Sequence, residues 1–109
     1  MADFPLILGQ SNPSATTLTS AYTVPLGRYA VVSTVVICNQ GVGKGSFRVS
    51  IVKSGDGDLA KQYIFYDQEL ASKASFVVTI GISLSVGDQI KVYASSANFS
   101  FNICGLEVV

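Results

Sequence analysis

The chain reads as an all-β protein, an antiparallel sandwich or barrel of eight strands. Apolar and polar residues alternate with period two along most of its length, and no stretch long enough for a helix carries a stripe at helical spacing. Turn signals also recur at roughly 8 to 12 residue intervals, the spacing of a sandwich or barrel.

The expected strands are residues 5–10, 17–24, 28–39, 45–53, 61–67, 74–82, 89–95 and 99–108. The first carries Leu6 and Leu8 and stops at Asn12-Pro13, where proline fixes φ and the chain must turn. Residues 1–14 read either as an N-terminal arm that pairs with another chain or as an ordinary edge strand. Pro25-Leu26-Gly27 separates the second strand from the third, and Gly41, Gly43 and Gly45 mark a hairpin loop before the fourth. Ser54-Gly55-Asp56-Gly57-Asp58 and Val86-Gly87-Asp88 are further turns. Residues 67–74 contain fair helix formers and are read as a strand end plus a loop, with a single helical turn as the alternative.

Three strands each show one core face. Phe47, Val49 and Ile51 alternate with Ser46, Arg48 and Ser50; Ile90, Val92 and Ala94 with Lys91, Tyr93 and Ser95; Phe99, Phe101 and Ile103 with Ser100, Asn102 and Cys104. The third strand departs from this. Strict alternation points Tyr29, Val31, Val35 and Ile37 one way and Ala30, Val32, Val36 and Cys38 the other, so both faces are apolar. Tyr63-Ile64-Phe65-Tyr66 and Phe76-Val77-Val78 repeat that character. An antiparallel sheet normally keeps one wet face, so two apolar faces predict cover by a second subunit.

Composition agrees. Of 109 residues 49% are hydrophobic and only 13% charged, about half the ~25% of an ordinary soluble domain. Seven basic and seven acidic residues cancel, which favours self-association over mutual repulsion. One domain spanning residues 1–109 is expected. The scattered Arg28, Lys44, Arg48, Lys53, Lys61, Lys73 and Lys91 argue against nucleic acid, which needs clustered cations. The start of the chain lacks the pattern of a secretory signal, and no apolar run is long enough for a membrane helix. The expectation is a soluble product made in a cytoplasm, with no membrane partner.

Catalysis has little to work with. There is no histidine, so no Ser-His-Asp or Cys-His arrangement can form, and two thiols alone are too few for zinc. Asp67 and Glu69 share a strand face by spacing, as solvated acid pairs commonly do. Asp56-Gly57-Asp58 invites calcium but lacks the remaining ligands of a calcium loop and reads as a surface turn. Gly41-Val42-Gly43-Lys44-Gly45-Ser46 lacks both the spacing of a phosphate loop and the helix that must follow one. No metal, cofactor or enzymatic activity is expected. Cys38 and Cys104 are expected as buried free thiols, with a disulfide between them as the alternative, since sequence alone does not show whether their Cα atoms come close enough to bridge. Of the aromatics, Tyr22, Tyr29 and Tyr93 are those expected to reach the surface, where a sugar-stacking platform would need them.

The run Val24-Pro25-Leu26-Gly27-Arg28-Tyr29-Ala30-Val31-Val32, continued by Val36-Ile37-Cys38-Asn39-Gln40-Gly41, resembles small virion proteins of tailed bacteriophages, which carry a Val-Pro-x-Gly-Lys/Arg strand opening and a Cys-Asn-x-Gly turn. Residues 81–92 and 100–107 are similar to the same group, so the resemblance covers roughly residues 16–109. It implies an eight-stranded antiparallel jelly-roll-like β-sandwich on a phage particle, as a homotrimer. The role implied is a capsid cement (decoration) protein that stabilises the assembled major-capsid lattice, or alternatively a tail-fibre or tail-tip module that binds a receptor or glycan. Its short length and the lack of a shaft segment favour the cement role, at the capsid surface of a virion assembled in the host cytoplasm. On that reading Tyr22, Ala30, Val32 and Val36 are the expected subunit contacts, and Phe4, Leu6 and Leu8 the expected lattice contacts.

Overall fold

The computed structural model describes residues 3–109, with side chains from residue 6 onward. Its strands are β1 (Asp3–Ser11), β2 (Thr19–Thr23), β3 (Tyr29–Asn39), β4 (Gly45–Val52), β5 (Tyr63–Leu70), β6 (Ser75–Leu84), β7 (Gln89–Ala94) and β8 (Phe99–Val108). Each begins and ends within three residues of its expected place. A turn of 3-10 helix, Ala60–Gln62, precedes β5. At residues 67–74 there is no helical turn: β5 continues to Leu70, and a turn closes with Ala74 N donating to Ala71 O at 3.2 Å.

The strands form two antiparallel sheets, ordered β1-β8-β3-β6 and β2-β7-β4-β5. This is jelly-roll order. Every connection except β4–β5 crosses from one sheet to the other, including residues 41–44, which were expected to form a hairpin loop. Asn39 shapes that crossing from a buried position: its side-chain Nδ2 donates to Gly43 O and Leu70 O, and its Oδ1 accepts from Gly41 N. The crossings at residues 25–28 and 85–88 are turns with glycine third, Gly27 at φ 79° and Gly87 at φ 82°, where a side chain would clash with its own backbone.

Between the sheets lies one apolar core. Val32, Val35, Ile37, Phe101 and Ile103 enter it from the first sheet and Phe47, Val49, Ile90 and Val92 from the second, all essentially inaccessible to water. Phe47 is the hub, with the rings of Phe76, Phe65, Phe101 and Phe99 centred 5.7, 5.8, 6.2 and 6.3 Å away, within the range where aromatic pairs attract.

The expected two-sided β3 is corrected here. Register slips between Val32 and Thr34 against both neighbours, leaving Ser33 in a bulge. A bulge reverses the alternation beyond it. Ala30 and Val32 therefore face inward together with Val35 and Ile37, while Tyr29, Val31, Thr34, Val36 and Cys38 face outward. In β5 and β6 likewise, Phe65, Phe76 and Val78 pack on the core, and Tyr66 and Val77 are exposed.

Of the N-terminal segment, the described residues 3–11 pair within this chain, as the edge-strand reading has it. β1 is the edge strand of the first sheet, paired with β8 from Asp3 opposite Val108 to Ser11 opposite Phe101. Pro5 is tolerated because an edge strand keeps one side of its backbone unpaired.

Candidate interaction faces

The two sheets of the described residues each present one outward face. They differ sharply in charge.

On the first sheet the pairing lays the outward side chains in rows. Cys38 lies between Ser100 and Ser75, Val36 between Asn102 and Val77, Thr34 between Cys104 and Thr79, and Val31 between Leu106 and Ser83. β1 extends two of these rows, with Ile7 opposite Cys104 and Gln10 opposite Asn102, where Gln10 Nε2 donates to Asn102 Oδ1 at 2.7 Å. None of these described outward positions carries an acid or a base. Ile7, Tyr29 and Val77 are 56%, 45% and 61% exposed.

The second sheet is charged. Arg48 donates to Asp67 through Nε at 2.6 Å and a second nitrogen at 3.3 Å, and Lys44 pairs with Glu69 at 3.3 Å. Asp67 and Glu69, expected to share a face, are therefore each matched to a cation. The bond from Arg48 holds the Asp67 carboxyl below the usual carboxylate range. The Arg48 guanidinium lies over two tyrosine rings, 4.1 Å from the centroid of Tyr66 and 4.3 Å from that of Tyr93. Tyr63 meets Tyr66 edge to face at 5.1 Å and donates to Asp58 Oδ1 at 2.8 Å. The loop carrying the 3-10 turn packs on β4 beside this group, held by Gln62, which donates to Gly57 O and accepts from Leu59 N.

A third cluster ties the ends of the fold together. Glu107, 7% exposed, accepts from the Tyr22 hydroxyl at 2.7 Å and from Arg28 at 2.7 Å. The Tyr22 bond, aided by Arg28, lowers the Glu107 pKa, while burial and the neighbouring carboxylate push the tyrosine hydroxyl up.

Three of the four expected subunit-contact residues are placed elsewhere. Ala30 and Val32 are wholly buried in the chain's own core, as the Ser33 bulge dictates, and Tyr22 is held inside by Glu107. Val36 lies on the uncharged outward face. Of the expected lattice contacts, Leu6 is 38% exposed, Leu8 packs on the core beside a second bulge in β1, and the Phe4 side chain lies outside the described residues. Of the tyrosines expected at the surface, Tyr29 and Tyr93 reach it; Tyr66, read as part of a two-faced strand, is the most exposed tyrosine described. Cys38 and Cys104 are free and half-buried on the outward face of the first sheet rather than in the core. Their registers differ by four residues, about 13 Å along the strands, beyond disulfide reach.

No protein-family model matches the chain, and comparison with curated proteins gave no match. Among solved structures it is similar to a chain in the structure of infectious bursal disease virus Gx strain, with a TM-score of 0.52 and 8% identity. The similarity covers 97% of this chain and 30% of that one. At that identity it shows the fold, a jelly roll, and nothing finer.

Proposed function

We propose that this chain is a structural subunit of a virus particle, and within that class a cement protein that self-associates and stabilises an assembled capsid lattice. The carrying observation is the outward face of the β1-β8-β3-β6 sheet, uncharged at its described positions and bearing exposed Ile7, Tyr29 and Val77. Four strands ~4.8 Å apart and ~30 Å long give this face about 600 Å², close to the ~800 Å² per partner of a standard stable interface. A neutral face on which apolar and uncharged polar residues mix suits a second copy of itself, since no charge has to be desolvated when the two meet.

The viral reading draws support from the likeness to a chain in a virus structure and from the phage-like turn motifs. The mechanism is mass action: a subunit that binds only the assembled lattice stabilises that state in proportion to RT ln(1 + [L]/Kd), without covalent chemistry. A place at the tail, as a fibre or tip module, uses the same oligomer and differs in position on the particle.

Cys38 and Cys104 supply a test without mutation. Sedimentation velocity of the full chain at micromolar concentration should show an oligomer, a trimer on the cement reading, and a thiol reagent should label both cysteines more slowly in the oligomer than after dilution to monomer. A monomer at all concentrations, or an oligomer in which both thiols react at the monomer rate, overturns this interface.

A further inference from the structure

Self-association through the uncharged sheet leaves the group around Arg48, on the opposite sheet, without a role. Register there slips between the Phe47–Gln68 and Val49–Phe65 pairs, so Tyr66 and Asp67 together oppose the single residue Arg48. Asp67 sits at φ 53°, a left-handed conformation that strains a residue other than glycine. The bulge is what lets both neighbours reach Arg48, Tyr66 with its ring and Asp67 with its carboxylate. A regular strand would present only one of them. Tyr66 is 61% exposed, and among the described residues neither its hydroxyl nor that of Tyr93 has a hydrogen-bond partner. A strained backbone that holds an aromatic ring in water adds nothing to the core.

We infer that Tyr66, Tyr93, Arg48 and Asp67 form a binding site for an uncharged saccharide. A pyranose ring has a face lined with C–H groups, which stacks on a tyrosine, and neighbouring hydroxyls, which pair with a planar guanidinium and a carboxylate. Arg48 and Asp67 hold each other in place, so little ordering is lost when a ligand arrives. Charge selects a neutral sugar over an acidic one. Around this group Arg48 is matched by Asp67 and Lys44 by Glu69, and an anion would have to displace Asp67 from Arg48. The same balance weighs against single-stranded nucleic acid, which also stacks on aromatic rings but needs surplus cations.

The test is an array of neutral and acidic cell-surface glycans probed with the full chain, with calorimetric titration of the strongest neutral glycan. Binding of neutral glycans is expected, weakened about tenfold or more by Tyr66→Ala and largely kept by Tyr66→Phe. Thermal unfolding of each variant shows whether the fold is intact, and Asp67→Asn gives an independent reduction of affinity at an exposed position. The site is overturned if no neutral glycan binds above the Tyr66→Ala background, if only acidic glycans or single-stranded DNA bind, or if binding survives both Tyr66→Ala and Asp67→Asn. Failure here leaves the sedimentation and thiol results unchanged, so this site and the proposed assembly face stand or fall separately.

Discussion

Glu107 ties β2 and the β2–β3 connection to the last strand at one carboxylate, and its surroundings set how the protein answers acid. Its pKa is lower in the folded protein than in an unfolded chain, so the folded state binds fewer protons. The stability this confers is present above the ordinary Glu value of about 4.3 and is lost as pH falls through the lower folded value. Urea midpoints measured from pH 6 down to pH 3 should therefore drop, and Glu107→Gln should drop less over the same interval. Tyr22→Phe removes a hydrogen bond to a charged, buried group and should cost about 1.5–3 kcal/mol in the same assay. Neither role was legible from residue order: Tyr22 precedes a Pro-Gly turn and reads as a surface tyrosine, and its partner lies 85 positions away.

Among the elements, β3 decides which side chains are core and which are surface. Val31, Val32, Val35 and Val36 are alike in chemistry, so alternation alone cannot show that the phase reverses between them. Ser33-Thr34 is no help, because small polar residues suit either face. Deleting Ser33 alone removes only the extra residue and should leave Val35 and Ile37 inward, whereas deleting Ser33 and Thr34 together should drive them outward and abolish the cooperative unfolding transition seen by near-ultraviolet circular dichroism. Gly105, opposite Val32 at the bulge, is a second point of strictness: a Cβ there would overlap the carbonyl oxygen of Val31. Gly105→Ala should destabilise by about 2 kcal/mol or more in urea titration, as steric insertion into a packed site does. At the bulge in β5, the residue pattern shows Tyr66 and Asp67 as neighbours in sequence but gives no sign that both turn toward Arg48.

For the molecule as a whole, the contrast between its two outer faces is the feature with the largest consequence. Val77, exposed beside Val36, is the place to test it: Val77→Lys should change stability by less than about 0.5 kcal/mol while shifting the sedimenting species toward monomer, since a buried unpaired ammonium would oppose the interface. Local alternation and turn chemistry sufficed to read the all-β class, the number of strands, nearly all their limits and the shortage of charge from the order of residues. Those properties depend on neighbours a few positions apart. Which sheet each strand joins, which half of β3 faces the core, and how Arg48, Tyr66 and Tyr93 come together depend on pairings between residues tens of positions apart and on bulges that shift the phase by one. Folding into two facing sheets settled them, because only there does burying one valine rather than its neighbour change the free energy.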